Sequence, residues 1–120
     1  MESDSILYQI KGEKLSAVIF VLDYVQLDFD GKKLSCYIFP DVHINSKLLH
    51  FPETGYRDSL CRLLGNNVTS ISIIKAVGIT INFDSDYIHC PLNRSQIGEV
   101  FFFTDESNNW ESYTDDSAAF

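Results

Sequence analysis

The sequence predicts an α+β domain: two pseudo-symmetric four-stranded antiparallel β-meanders packed face to face, one central helix, and a short C-terminal helix. Three observations carry this expectation. The chain repeats itself, because displacing residues 12–53 by 53 or 54 positions lays Gly12 on Gly65, Leu15 on Val68, Leu27 on Ile81, Phe29 on Phe83, Asp30 on Asp84 and Cys36 on Cys90. The same displacement sets Ile44 on Ile97 and the run Leu48, Leu49, His50 on Phe101, Phe102, Phe103. Nine Phe and six Tyr suit a pleated surface, where aromatic side chains pack well. One amphipathic segment interrupts the strands. Two copies are too few for a solenoid, so residues 1–120 form a single domain with an internal duplication, 12–53 and 65–106.

The elements follow in order. Residues 14–22 are β-rich, and Tyr24 to Phe29 alternates, with Val25, Leu27 and Phe29 on one face. Asp30-Gly31 is a hairpin turn. It leads to Leu34, Cys36 and Ile38 on the inward face of a third strand closed by Pro40, and a fourth strand covers 47–51. The second copy supplies strands near 67–75, 78–83, 86–91 and 99–104, with Asp84-Ser85 as its hairpin turn. Between the copies, Tyr56, Leu60, Leu63 and Leu64 have the spacing of a buried helical stripe over 55–64. Thr54 can cap that helix, Asp58 suits its first turn and Arg62 its last, and Gly65 supplies the left-handed stop. In the second copy, Trp110, Tyr113 and Phe120 line a weaker helix over 108–120.

Seventeen acids oppose nine bases, for a net charge of -8. That balance disfavours phosphate backbones. Six acids and no base fall between Glu99 and Phe120, so the C-terminal edge reads as a negative field that either maintains solubility or steers a basic partner. The first ten residues lack the basic and long apolar regions of a signal peptide. No stretch approaches a membrane span, and a cytoplasmic location is expected.

Candidate chemistry is sparse. Cys36, Cys61 and Cys90 form no short-spaced pair, which argues against a CxxC site, a zinc knuckle or a disulfide framework. Cys36 and Cys90, at equivalent positions, read as small buried hydrophobes; a two-fold metal or disulfide site is the alternative. Asp28 with Asp30, and Asp84 with Asp86, imitate carboxylate dyads, but hairpin ends favour aspartate for turn chemistry. His43, His50 and His89 have no spaced partner and read as surface or hydrogen-bonded residues. A pocket joining one of them to a carboxylate would instead favour an enzyme. Phosphate-binding glycine motifs, nucleophile elbows and HExxH runs are missing. The expectation is therefore no catalytic residue, no metal and no cofactor.

Three resemblances add to this reading. The order of four strands, a helix and four strands resembles the Whirly domain, a single-stranded DNA-binding fold, although the lysine-rich strand motif of that family has no counterpart here. Asp23-Tyr24-Val25-Gln26 with Phe29-Asp30-Gly31, followed by Gly55-Tyr56-Arg57-Asp58-Ser59-Leu60-Cys61, is similar to a family of small uncharacterised bacterial proteins over residues 12–104. That likeness implies a scaffold or small-ligand-binding module without enzymatic activity. In character, a small acidic chain without a catalytic constellation resembles the immunity proteins of contact-dependent growth inhibition systems, some of which carry Whirly-like folds. This third likeness implies one-to-one binding and occlusion of a basic toxin domain, with a nuclease as the toxin, and no nucleic-acid or membrane partner. The corresponding partner-binding residues are Asp105, Glu106, Trp110, Glu111, Tyr113, Asp115 and Asp116, with Asp84 and Asp86 at a hairpin tip and Phe103 as an aromatic anchor.

Overall fold

The computed structural model describes residues 5–94 and 98–115. Ile97, Asp116 and Phe120 lie outside them. The chain opens with a 3-10 helix at Ile6–Ile10, which the sequence reading passed over, and its Leu7 and Ile10 are fully buried. The strands are β1 (Ala17–Phe20), β2 (Val25–Phe29), β3 (Lys32–Cys36), β4 (Asp41–Ile44), β5 (Lys47–Leu49), β6 (Ser70–Ile74), β7 (Gly78–Phe83), β8 (Asp86–Pro91), β9 (Glu99–Thr104) and β10 (Trp110–Thr114). Among the described residues one α-helix, α1 (Tyr56–Cys61), lies between β5 and β6. Two antiparallel five-stranded sheets result, ordered β1-β2-β3-β9-β10 and β5-β4-β8-β7-β6.

Each sheet therefore takes three strands from one half of the chain and two from the other. This corrects the expectation of a separate four-stranded meander from each half. Corresponding hydrogen bonds recur over the first three strands of each half. Ser16 Oγ donates to the Asp28 carbonyl and accepts from the Asp30 N–H, and Thr69 Oγ1 makes the same bonds with Asn82 and Asp84. On the outer faces, Gln26 bonds Ser35 at 3.1 Å where the other half has Thr80 beside His89 at 3.1 Å. Beyond the third strands the sequence displacement misleads. β9 pairs with β3 as β4 pairs with β8, so the counterpart of Phe101, Phe102 and Phe103 is β4, not Leu48 to His50. The connections 37–40 and 92–98 differ in length, which shifts the offset after them.

Two further expectations change. Residues 110–114 form an edge strand rather than a helix, because Tyr113 pairs with Phe101 and Glu111 with Phe103, giving the alternation of a sheet edge. The central helix is shorter than 55–64, and its N-cap is Gly55 at φ 87 with no side-chain cap from Thr54. Asp58 does occupy the first turn, and Gly65, at φ 87, follows the helix with its N–H on the Leu15 carbonyl. Asp30-Gly31 has positive φ at both residues, as the tight hairpin requires; Asn45-Ser46 does so too and joins β4 to β5.

Inner faces from both sheets make one core. Val25, Leu27, Phe29, Leu34, Phe101 and Phe103 meet Val42, Ile79, Ile81, Phe83 and Ile88 there. Residues 12–15 run antiparallel to 65–68 across the pseudo-two-fold axis, with Leu15 N–H on the Asn66 carbonyl and Val68 N–H on the Glu13 carbonyl. Cys36 and Cys90 are buried and free, as small hydrophobes in this core. Burial, with the Cys90 thiol as hydrogen-bonding neighbour, pushes the Cys36 thiol well above its ordinary range.

Candidate functional site

Antiparallel register separates the two ends of the sandwich. The turns at Asp30-Gly31, Asn45-Ser46, Asp84-Ser85 and 105–109 share one end with the 12–15 and 65–68 crossing. Asp41, the start of β4, the end of β8 and residues 37–40 belong to the other.

At the turn end the predicted residues have different fates. Asp84 is exposed, with its N–H on Thr69 Oγ1, while Asp86 Oδ1 accepts the Asn45 N–H at 3.2 Å. Asp105 organises its own turn: Oδ1 accepts the N–H groups of Ser107 and Asn109, and Oδ2 accepts from Gln9. Slight desolvation opposes these bonds, yet they hold the carboxyl below its ordinary value. Glu106 pairs with Lys32 Nζ at 2.9 Å, and the same ammonium reaches Glu13. Exposed Lys14, Lys33 and Lys47 are interleaved among these acids, so this end is less negative than the C-terminal tally suggests.

Glu111 and Tyr113 face inward. Glu111 Oε1 accepts from Ser5 Oγ and from Tyr113 Oη, and its Oε2 accepts the Ile6 N–H, which fastens the 3-10 helix to β10. Burial first, then the Glu111 carboxylate, pushes the Tyr113 phenol above its ordinary range. Asp115 is 2% exposed, with Oδ2 accepting the Arg94 N–H at 2.7 Å. Phe103 is wholly buried. Trp110 does face outward: it is 63% exposed and stacks on Phe102 at 5.8 Å.

The opposite end holds a constellation that the sequence reading did not assemble. Asp41, on β4, has a side chain only 6% exposed; its Oδ1 accepts from His50 Nδ1 at 2.7 Å and its Oδ2 from Arg94 at 2.8 Å. His50 and Arg94 are about half exposed, at 53% and 47%. They border a cavity of about 430 Å³ whose other lining residues are Tyr37, Ile38, Phe39 and Phe51. Phe39 stacks on Phe51 at 3.8 Å, Tyr56 meets both rings edge-on, and the Arg57 guanidinium lies over Phe51. The hairpin explains the pairing. With Val42 opposite Leu49 and a two-residue turn at 45–46, Asp41 falls opposite His50. A carboxylate only accepts, so Nδ1 carries the proton and Nε2 is the other ring nitrogen available for contact.

Across β4, a second cavity of about 330 Å³ is lined by Asp41, Leu48, Thr80, Tyr87 and His89. Desolvation lowers the His89 pKa below the ordinary 6.5; the Asp41 charge opposes this and Arg94 reinforces it. The unfolded chain then binds the proton more readily, so this group removes stability as pH falls below the unfolded value of 6.5 and leaves stability unchanged well above it. Denaturant unfolding at pH 7 and pH ~5.5 is expected to show that fall, with His89→Gln reducing it. An equal fall in the variant would count against His89 as its source.

Among the described residues, no group of three or more His, Cys, Asp or Glu is arranged to hold a metal ion, and no helix is long and apolar enough to cross a membrane. No family model matches the chain, and comparisons with curated proteins and with solved structures find no match.

Proposed function

We propose that this chain is an immunity protein that binds a cognate basic toxin domain, a nuclease, one-to-one and neutralises it by occlusion, as in contact-dependent growth inhibition. The observation that carries this reading is Trp110, a large aromatic side chain exposed on an open sheet edge and backed by Phe102. Exposed aromatics rimmed by polar groups act as anchors in protein interfaces. Glu106 and Asp84 contribute the acidic rim, which guides encounter more than it adds affinity. On this reading the architecture is Whirly-like, a duplicated β-rich half around a helix, without that family's DNA-binding role.

The test is a pull-down from the source organism's lysate with tagged protein, at low and high salt. A basic protein retained near one-to-one stoichiometry and weakened by salt is expected. Trp110→Ala is expected to reduce its retention roughly 30-fold or more, the effect of losing an interface anchor. Reversing Asp84 and Glu106 to lysine is expected to slow association and flatten its salt dependence. An empty lane at both salts, or full retention by Trp110→Ala, would overturn the reading.

A further inference from the structure

The cavity at the end opposite the Asp30-Gly31 and Asp84-Ser85 turns has the parts of a small-molecule site, separate from the Trp110 surface. Its most buried polar group is Asp41, and two half-exposed cationic or proton-bearing groups, Arg94 and His50, cover that carboxylate. A ligand entering the cavity therefore meets the guanidinium and the imidazole before the acid beneath them. Glu53 lies nearby in sequence, but its carboxylate accepts the His50 backbone N–H and does not line the cavity.

Asp41 also restricts both groups. By accepting from His50 Nδ1 it fixes the ring so that Nε2 is the remaining nitrogen, and by accepting from Arg94 it restrains a long side chain that would otherwise lose entropy on binding. The apolar wall is equally ordered. Phe39 and Phe51 stack nearly parallel, Tyr56 supports both edge-on, and Arg57 covers Phe51. Burial, then the Glu99 charge, pushes the Tyr37 phenol, which also lines the cavity, above its ordinary value.

The geometry points to a binding site for a small ligand that carries a carboxylate or phosphate on a flat apolar body, its oxyanion held by Arg94 and His50 and its body against Phe39 and Phe51. Charge-assisted hydrogen bonds supply the anion contacts. Aromatic packing supplies the remainder.

The test is an NMR titration of the isotope-labelled full chain with phenyl phosphate, in parallel with benzoate, inorganic phosphate and benzyl alcohol. Saturable shifts at His50, Arg94, Phe39 and Phe51 are expected with phenyl phosphate or benzoate, and whichever of the two binds more tightly distinguishes the sources of the oxyanion. Inorganic phosphate and benzyl alcohol, each offering half of the recognition, are expected to bind at least about tenfold more weakly. Arg94→Gln and His50→Gln are each expected to weaken the tighter ligand by about tenfold. Both replace partly exposed side chains, and an unchanged amide spectrum elsewhere verifies the fold. The inference is overturned if neither aryl anion saturates, if their shifts map to the Trp110 face, or if both folded variants bind as the parent does.

Discussion

Replacing Tyr56 by alanine is expected to destabilise the protein by about 3–5 kcal/mol, the usual cost of removing a buried aromatic side chain. Tyr56 is fully buried where α1 meets β4, its ring edge-on to Phe39 and Phe51 and its hydroxyl donating to the Pro40 carbonyl. Tyr56→Phe separates the two contributions. It retains the ring but leaves the carbonyl without this partner, and roughly 1–3 kcal/mol is expected for a buried acceptor left unpaired. Urea unfolding of both variants measures the difference, and a Tyr56→Phe variant within about 0.5 kcal/mol of the parent would deny the bond its structural role. Tyr56 also supports the phenylalanine wall, so the alanine variant should weaken aryl-anion binding as well.

Gly78→Ala is the second large effect. Gly78 opens β7 at φ 153, and an added Cβ would approach the Cys90 carbonyl oxygen and His89 Cε1, each to 2.6 Å. The carbonyl belongs to the backbone of the paired strand, so relief requires the sheet itself to shift. Overpacking and a disfavoured backbone conformation together are expected to cost roughly 2–5 kcal/mol. Gly12→Ala is the control. Gly12 has φ 86 with nothing within 4 Å of an added Cβ, so the conformational penalty acts alone and about 1 kcal/mol is expected. If the two variants unfold at the same urea concentration, contact with Cys90 and His89 is not what requires glycine at position 78.

Much of the scaffold was legible in the residues, and each failure has a physical cause. Alternation in Val25, Leu27 and Phe29 and the Asp30-Gly31 turn located β2, β3 and their register, because those signals are local. No strong local signal marks the strand over 41–44. Its flanking turn is Asn45-Ser46, in which a serine takes the left-handed conformation more often supplied by glycine, and with that turn unrecognised the opposition of Asp41 and His50 stayed hidden. Trp110 and Tyr113 have helical spacing, which suggests a helix over 108–120, whereas pairing with β9 places them on opposite faces of a sheet. The candidate interface was legible only in part. Trp110 is exposed, but composition cannot show that Glu111 and Asp115 are directed inward by Ser5, Ile6 and Arg94. Arg94 carried no motif at all. Its placement beside Asp41 depends on the path of the chain after β8.

The exchange of strands between halves governs the order in which the protein can be completed. As the chain emerges from the ribosome, β1, β2 and β3 can pair with one another, but β3 pairs next with β9, which is made only after β4 to β8. Until then the first sheet has an unpaired edge at β3 and an uncovered apolar face, conditions that favour association with other chains. Pairing partners this distant in sequence also slow folding, since loop closure precedes the contacts that reward it. Each half thus contributes the strands that finish the other's sheet, and closure of the first sheet must await the β9–β10 hairpin.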